Sequence, residues 1–268
     1  MRYSGIQPQY FPRLHYFARI LAADIFVLRD DAQFVRKHKY PDGRVDKSYQ
    51  AHTLIKHATG VHFLTVPTKH DGFVSLTETR VSYDNEWIMN HLKSIRVAYG
   101  RAKNFARLRS EIEKLLQNQY ERLANLNLAT IGWGILHLLG EKRVDVEKIS
   151  INYIEEKLAQ TKKFRLRKIR RASESRAIKG GKNLTANEKI IALIKEMGAN
   201  EDYCGGTGAL VYMDEGLFAK NGIKITVQNW KCSEYQQQFT KLVGFIQNLS
   251  IIDLLMNVDE SEAAEIIA

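Results

Sequence analysis

Leu14, Phe17 and Leu21 recur at the spacing of one helix face, and "DIFVLRD" at 24–30 follows them as an apolar run of strand length. Residues 1–8 read as a short strand ending at Pro8, because proline is tolerated at a strand end and breaks the ladder beyond it. Strand, loop, helix and strand in so short a span predict a parallel pair in an α/β sheet. Such a pair places the loop 7–15 and the turn 30–34 together beyond the carboxyl ends of its strands, where open α/β sheets bind ligands.

The pattern then changes twice. "SYQAHTLIK" (48–56) and "HFLTVPTK" (62–69), split by "HATGV", predict a hairpin-like excursion. From Asp84 the period is helical: Ile88, Leu92, Ile95 and Tyr99 form a stripe that stops at Gly100. Helices are expected at 104–124 and 126–140, with Phe105, Leu108, Ile112 and Leu115 on one face and Trp133 and Leu136 packing nearby. "ISINYI" (149–154) alternates like a strand.

Thr185 and Glu188 form a capping box for a helix whose Ile190, Leu193, Ile194 and Met197 face the core before Gly198 ends it. "EDYC" leaves a strand for a glycine-rich loop, "KITVQNW" is a further strand, and "NLSIIDLLMNV" starts a helix with Ser250 as cap and Asp253 at the reciprocal position. The whole predicts an α/β protein with a mainly parallel, Rossmann-like sheet. Residues 1–83 and 145–268 would form the core domain, with 84–144 as a helical insertion.

A chain of 268 residues with 44% hydrophobic residues can bury one sizeable core, or one core and a smaller lobe. No stretch reaches the eighteen apolar residues of a membrane span, and "MRYSGIQPQY" lacks the form of a secretory signal, so the expected location is cytoplasmic. Cys204 and Cys232 are too few for a disulfide framework and read as free thiols. The net charge of +10 is concentrated: residues 162–182 hold ten Lys or Arg against Glu174, leaving about +1 for the remainder. That run reads as a solvated face or mobile loop, or as an anion site built from Arg170, Arg171, Lys179 and Lys182. Nucleic acid is disfavoured because only Phe164 interrupts the run as an aromatic.

Candidate chemistry gathers in two places. "IQPQYFPRLH" offers the amides of Gln7 and Gln9, the phenols of Tyr10 and Tyr16 and the imidazole of His15; Asp30, Asp31 and Gln33 stand at the end of the next strand. Adjacent strand residues face opposite sides, so one aspartate is expected in the cleft and the other at the turn. A carboxylate there could be a general base, a metal ligand or a hydroxyl binder. The second place is "YCGGTGALVY", where Gly205, Gly206 and Gly208 let backbone amides approach an anion and Thr207 adds a hydroxyl, although it matches no P-loop or G-x-G-x-x-G pattern. Cys204 beside these glycines is a nucleophile candidate or a packing residue. His52, His57, His62 and His70 lack metal-ligand spacing, so no metal site is expected.

The ordered blocks "IQPQYFP", "DDAQF", "LTVP", "YCGGTGALVYMDEGLF" and "NLSIIDLL" together resemble the WbqC-like family. The matching positions include Gln7, Pro8, Tyr10, Asp30, Asp31, Gln33, Gln50, Gly205, Tyr212 and Asp253. Ile6 stands where the family usually has a histidine, and His52 where an arginine is common. The resemblance implies a transferase of surface-polysaccharide or sugar biosynthesis, moving an acyl or glycyl group to an amino sugar. On that reading His15, Asp30 and Asp31 are catalytic, and Gln7, Tyr10, Gln33, Gln50, His52, Gly205, Gly206, Thr207, Gly208 and Tyr212 bind substrate. No particular cofactor is implied; coenzyme A or a nucleotide-sugar is a candidate phosphorylated substrate, and an acyl carrier protein a candidate partner. Two alternatives stand beside it: a nucleotidyltransferase-like enzyme related to the HIGH-motif superfamily, and a basic binding module for RNA or an acidic partner.

Overall fold

The computed structural model describes residues 1–39, 43, 45–70, 72–181, 183–206 and 213–268, with Lys39 described by its backbone alone. Its centre is a parallel sheet of five strands in the order β11 (Lys224–Val227), β10 (Glu201–Cys204), β1 (Arg2–Ile6), β2 (Ile25–Leu28) and β9 (Lys168–Arg171). The chain walks outward from β1 through β2 to β9, then returns to the other side of β1 for β10 and β11. The order therefore reverses between β1 and β10, which makes the carboxyl ends of those two strands the switch point of the sheet.

The first prediction holds: α1 (Leu14–Leu21) connects β1 to a parallel β2. β2 shows why the sheet has helices on both sides. Phe26 and Leu28 belong to one buried cluster and Ile25 and Val27 to another, so all four side chains are buried and the strand reads as continuously apolar. The larger cluster holds α1 and the helical run α2 (Trp87–Tyr99), α3 (Phe105–Gln117) and α4 (Leu123–Leu138), with the C-terminal helices Ile251–Asn257 and Glu260–Ile267. The smaller is closed by α7 (Ala186–Glu196), opened by the capping box of Thr185 and Glu188, and by the helix Glu215–Lys220. Between β2 and the helices lies the excursion β3 (Lys37–Lys39), β4 (Val45–Lys47), β5 (His52–His57), β6 (Gly60–Thr65), β7 (Thr68–Lys69) and β8 (Arg80–Val81). It is paired as three antiparallel ribbons, of which β5 and β6 are the expected hairpin.

Four expectations need correction. "ISINYI" is not a strand: Ser150 accepts from the Tyr153 N–H as a helix cap, and α5 (Ile151–Ala159) follows. Its apparent alternation was the start of a helical stripe, since Ile154 and Leu158 are the buried residues. The helix expected at 104–124 ends at Gln117, and Gln119 turns with φ 47° before α4 begins. The basic run is a largely solvated face but not wholly a loop: beyond 162–167 it supplies the edge strand β9 and the short helix α6 (Arg176–Gly180). Asp253 does not cap its helix. Its carboxylate accepts from the hydroxyls of Tyr99 (2.8 Å) and Tyr235 (2.6 Å) in the interior, where burial pushes its pKa up to about 6.

The loop after β1 is clamped rather than free. Phe11 sits at φ 37°, a left-handed conformation that costs a non-glycine residue on the order of 1–3 kcal/mol. Its N–H donates to Thr130 Oγ1 and its carbonyl accepts from Thr53 Oγ1, while Asn127 Nδ2 donates to the carbonyls of Pro8 and Gln50. Helix α4 thus holds the polar loop over the end of the sheet. Among the described residues, no helix is long and apolar enough to cross a membrane.

Candidate functional site

At the carboxyl edge of the sheet, three glutamines meet. Gln50 Nε2 donates to Gln7 Oε1 at 2.7 Å and to the Gln33 carbonyl at 3.2 Å, and its own Oε1 accepts from the Val35 N–H. Gln7, Gln33 and Gln50, separated by up to 43 positions, thereby tie the ends of β1 and β2 to the excursion. His52 Nδ1 pairs with the Ser48 carbonyl at 2.9 Å, which places the proton on that nitrogen and leaves Nε2 as the acceptor. Burial holds its pKa below the ordinary histidine value. Tyr10 is elsewhere: it is buried in the helical core with its hydroxyl on His91 Nδ1.

Asp30, Asp31 and His15 are not gathered into one group. Asp30 is fully buried, and its carboxylate accepts from the N–H and Oγ of Ser173 at 2.9 Å each, with Arg171 at 3.5 Å. It ties the end of β2 to the turn after β9. Asp31 is gripped by both arms of Arg29, at 2.8 and 3.0 Å. His15, on α1, faces the other way, with Nδ1 on Asn248 Oδ1 and its carbonyl accepting from Gln228. Burial, then the charges of Arg13 and Arg19, lower its pKa to about 3, so its ring is neutral at pH 7.

The two strands that flank the reversal carry buried groups absent from the sequence-based expectations. Asp202 on β10 and Tyr3 on β1 are cross-strand partners in a parallel ladder, so both side chains leave the same face of the sheet. Asp202 is 4% exposed, and among the described residues no hydrogen bond or ion pair reaches its carboxylate. Burial raises its pKa to about 7 against the opposing fields of Arg19 and Arg29. The Tyr3 ring folds back over Gly5, whose missing Cβ makes the space. Its hydroxyl comes beside Arg29 without reaching hydrogen-bond geometry and is buried with no partner.

Arg19 approaches from α1, fixed by Nε to Gln228 Oε1 at 2.9 Å, and its guanidinium lies against Gly205 at the end of β10. Cys204 is a free, half-buried thiol whose pKa burial pushes up to about 11, so at pH 7 it is not a thiolate nucleophile. Gly206 is described beside it; Thr207, Gly208 and Tyr212 lie outside the described residues.

One signal for this cluster was present in the sequence. Strands of a parallel sheet covered on both faces are expected to be apolar throughout, as β2 is, whereas "RYSGI" and "EDYC" put an ionisable residue in each of the two central strands. The basic run, by contrast, is largely spent on structure. Arg170 pairs with Glu155 at 2.7 Å, and Arg171 pairs with Asn125 and Asp30. Lys179 is exposed on α6 and Lys182 lies outside the described residues. Among the described residues, no group of three or more His, Cys, Asp or Glu could hold a metal ion. Two cavities, about 740 Å³ beside Arg107 and about 770 Å³ beside Arg96, share no residue with the carboxyl edge.

Fold and site together define a doubly wound α/β protein with a buried polar cluster beside the strand-order reversal of a five-stranded parallel sheet. The family model described as the WbqC-like protein family matches residues 7–265, and the chain belongs to that family. It is similar to the uncharacterized protein Rv1507c of Mycobacterium tuberculosis (strain ATCC 25618 / H37Rv), 25% identical over 257 residues, covering 94% of this chain and 92% of that protein. No solved structure matches the chain.

Proposed function

We propose that the protein is a transferase that moves an acyl or glycyl group from a phosphorylated donor to the amine of a sugar, with Asp202 as its general base. One observation carries this reading: a buried carboxyl with a pKa of about 7, under the fields of Arg19 and Arg29, pairs across β1 and β10 with a tyrosine whose hydroxyl has no partner. A base of that pKa is half ionised at neutral pH, the condition under which proton transfer from an incoming ammonium is most effective. The amine lone pair attacks the acyl carbon and the C–N bond forms. Asp202 takes the ammonium proton before attack; the bond to the leaving group then breaks with its electron pair, and the second N–H proton goes to the departing thiolate or phosphate. On this reading Tyr3 Oη would donate to the carbonyl oxygen as charge develops there, and Arg19 would receive the anionic part of the donor.

The phosphorylated donor follows from the same arginines and from the glycine pair after β10; coenzyme A thioesters and nucleotide-sugars both have that chemistry. Thermal-shift measurement with coenzyme A, acyl-coenzyme A, nucleotides and nucleotide-sugars tests it, since a bound ligand stabilises by mass action. A rise in melting temperature with an acyl- or glycyl-bearing donor beyond that given by ADP or UDP alone, lost in Arg19→Gln, is the expected result. No rise with any of them overturns the proposal.

A further inference from the structure

A second cationic site lies in the excursion between β2 and the helices. A cavity of about 400 Å³ is floored by Phe34, Val66 and Pro67 and walled by Arg36, Lys37 and Lys47. Arg36 and Thr68 also line a neighbouring cavity of about 590 Å³. The two chambers differ in charge balance. In the larger, Lys69 is paired with Asp84, while Arg80 and Arg122 share Glu121. In the smaller, no acid lines the wall, and among the described residues no ion pair reaches Arg36, Lys37 or Lys47.

Lys37 and Lys47 are moreover direct partners across the antiparallel β3–β4 ladder. Like charges at opposed ladder positions destabilise a two-stranded ribbon, which is itself marginal without further support. Lys47 also lies over the Phe63 ring at 4.7 Å, and its charge helps to lower the pKa of His52, whose ring lines the same cavity. At pH 7 that imidazole is neutral, with its Nε2 lone pair available to accept from a ligand hydroxyl or N–H.

We propose that this cavity binds the diphosphate of a nucleoside diphosphate moiety. The phosphates would bridge Arg36, Lys37 and Lys47, and the apolar floor of Phe34, Val66 and Pro67 would take the flat, less polar end. A diphosphate carries the multiple charges that relieve the Lys37–Lys47 opposition, and the volume fits the lower range of small-molecule sites. None of these residues belongs to the Asp202 cluster, so the two sites stand or fall separately.

Isothermal titration of the full chain with ADP, UDP and inorganic pyrophosphate tests the assignment. Lys37→Gln/Lys47→Gln and Arg36→Gln each lower affinity for the nucleoside diphosphates by about tenfold or more, because charge-assisted contacts are lost from exposed positions that the fold does not need. Asp202→Asn and Arg19→Gln leave that affinity unchanged, and pyrophosphate binds more weakly than ADP or UDP by the contribution of the apolar floor. Unchanged affinity in the lysine variant, no binding of any diphosphate, or a loss confined to Arg19→Gln overturns it. A single-stranded RNA that binds more tightly than ADP and loses as much in the lysine variant also overturns it, in favour of a nucleic-acid surface.

Discussion

Asp202 and Tyr3 face each other across the two central strands, a buried carboxyl beside a buried hydroxyl, and neither has a hydrogen-bond partner among the described residues. Leaving a buried polar group unpaired costs on the order of 1–3 kcal/mol.

The titration of Asp202 sets a pH dependence of stability. Unfolded, the carboxyl titrates near the ordinary value of about 3.9; folded, it titrates at about 7. Between those values the folded state holds a proton that the unfolded state lacks, so the residue's contribution to stability falls as pH rises. Asp202→Asn removes that fall. Melting temperatures of both proteins from pH 4 to 8 are expected to diverge in favour of the variant as pH rises, while transfer activity drops about 10²-fold or more. Parallel curves would show that Asp202 titrates as an ordinary carboxyl.

His15 acts in the opposite sense. Its folded pKa of about 3 lies below the unfolded value of about 6.5, so its contribution is present above pH 6.5 and is lost as pH falls toward 3. His91, lowered to about 4 chiefly by burial, adds to that acid sensitivity. His15→Gln is expected to lose less stability than the parent protein between pH 7 and pH 4, read as the slope of melting temperature against pH. Comparing slopes separates the titration from the lost contact with Asn248.

Gly205 and Gly206 differ in what a methyl group would meet. At Gly205 the added Cβ lands on the Arg19 guanidinium; at Gly206 the nearest atom is Val227 Cγ1 at 3.7 Å, an ordinary contact. Because the end of a long side chain can move, Gly205→Ala is expected to change stability by less than about 1 kcal/mol yet to weaken ligand stabilisation by displacing Arg19. Gly206→Ala is expected to spare both. Thermal shift with the stabilising ligand reads the two effects together.

Asp30 is expected to behave as architecture. Asp30→Ala leaves the Ser173 N–H and Oγ and the Arg171 guanidinium without their acceptor at the β2–β9 junction, for a loss of about 1–3 kcal/mol by denaturant titration. The ligand-induced thermal shift is expected to survive. A stable Asp30→Ala protein that no longer responds to ligand would return the catalytic role to this residue.

In the helical half, Gly134→Ala tests packing alone. The new Cβ meets two Phe17 ring carbons at 2.6 and 2.7 Å and Ile251 Cγ1 at 3.2 Å, where α1 and the helix Ile251–Asn257 cross α4. Alanine's better helix propensity, about 1 kcal/mol, is outweighed by an overpacking cost of about 1–3 kcal/mol. The variant is therefore expected to melt lower than the parent.

Local pattern in the sequence was enough for what local physics controls. The period of Leu14, Phe17 and Leu21, the apolar run of β2, the capping box at Thr185 and the β5–β6 hairpin each depend on neighbours a few positions away, although the hairpin's turn is tighter than the five residues 57–61 expected for it. The parallel β1–β2 unit followed, and with it the placing of polar loops at the carboxyl edge. Pairing across long separations depends on tertiary structure alone. Tyr3 meets Asp202, Gln50 meets Gln7, and Asp30 meets Ser173 because strand order and register bring them together. The same physics separated His15 from the aspartates and put Tyr10 in the core, since a side chain's role follows from the face on which its backbone leaves it, and that face is chosen by what packs against the element.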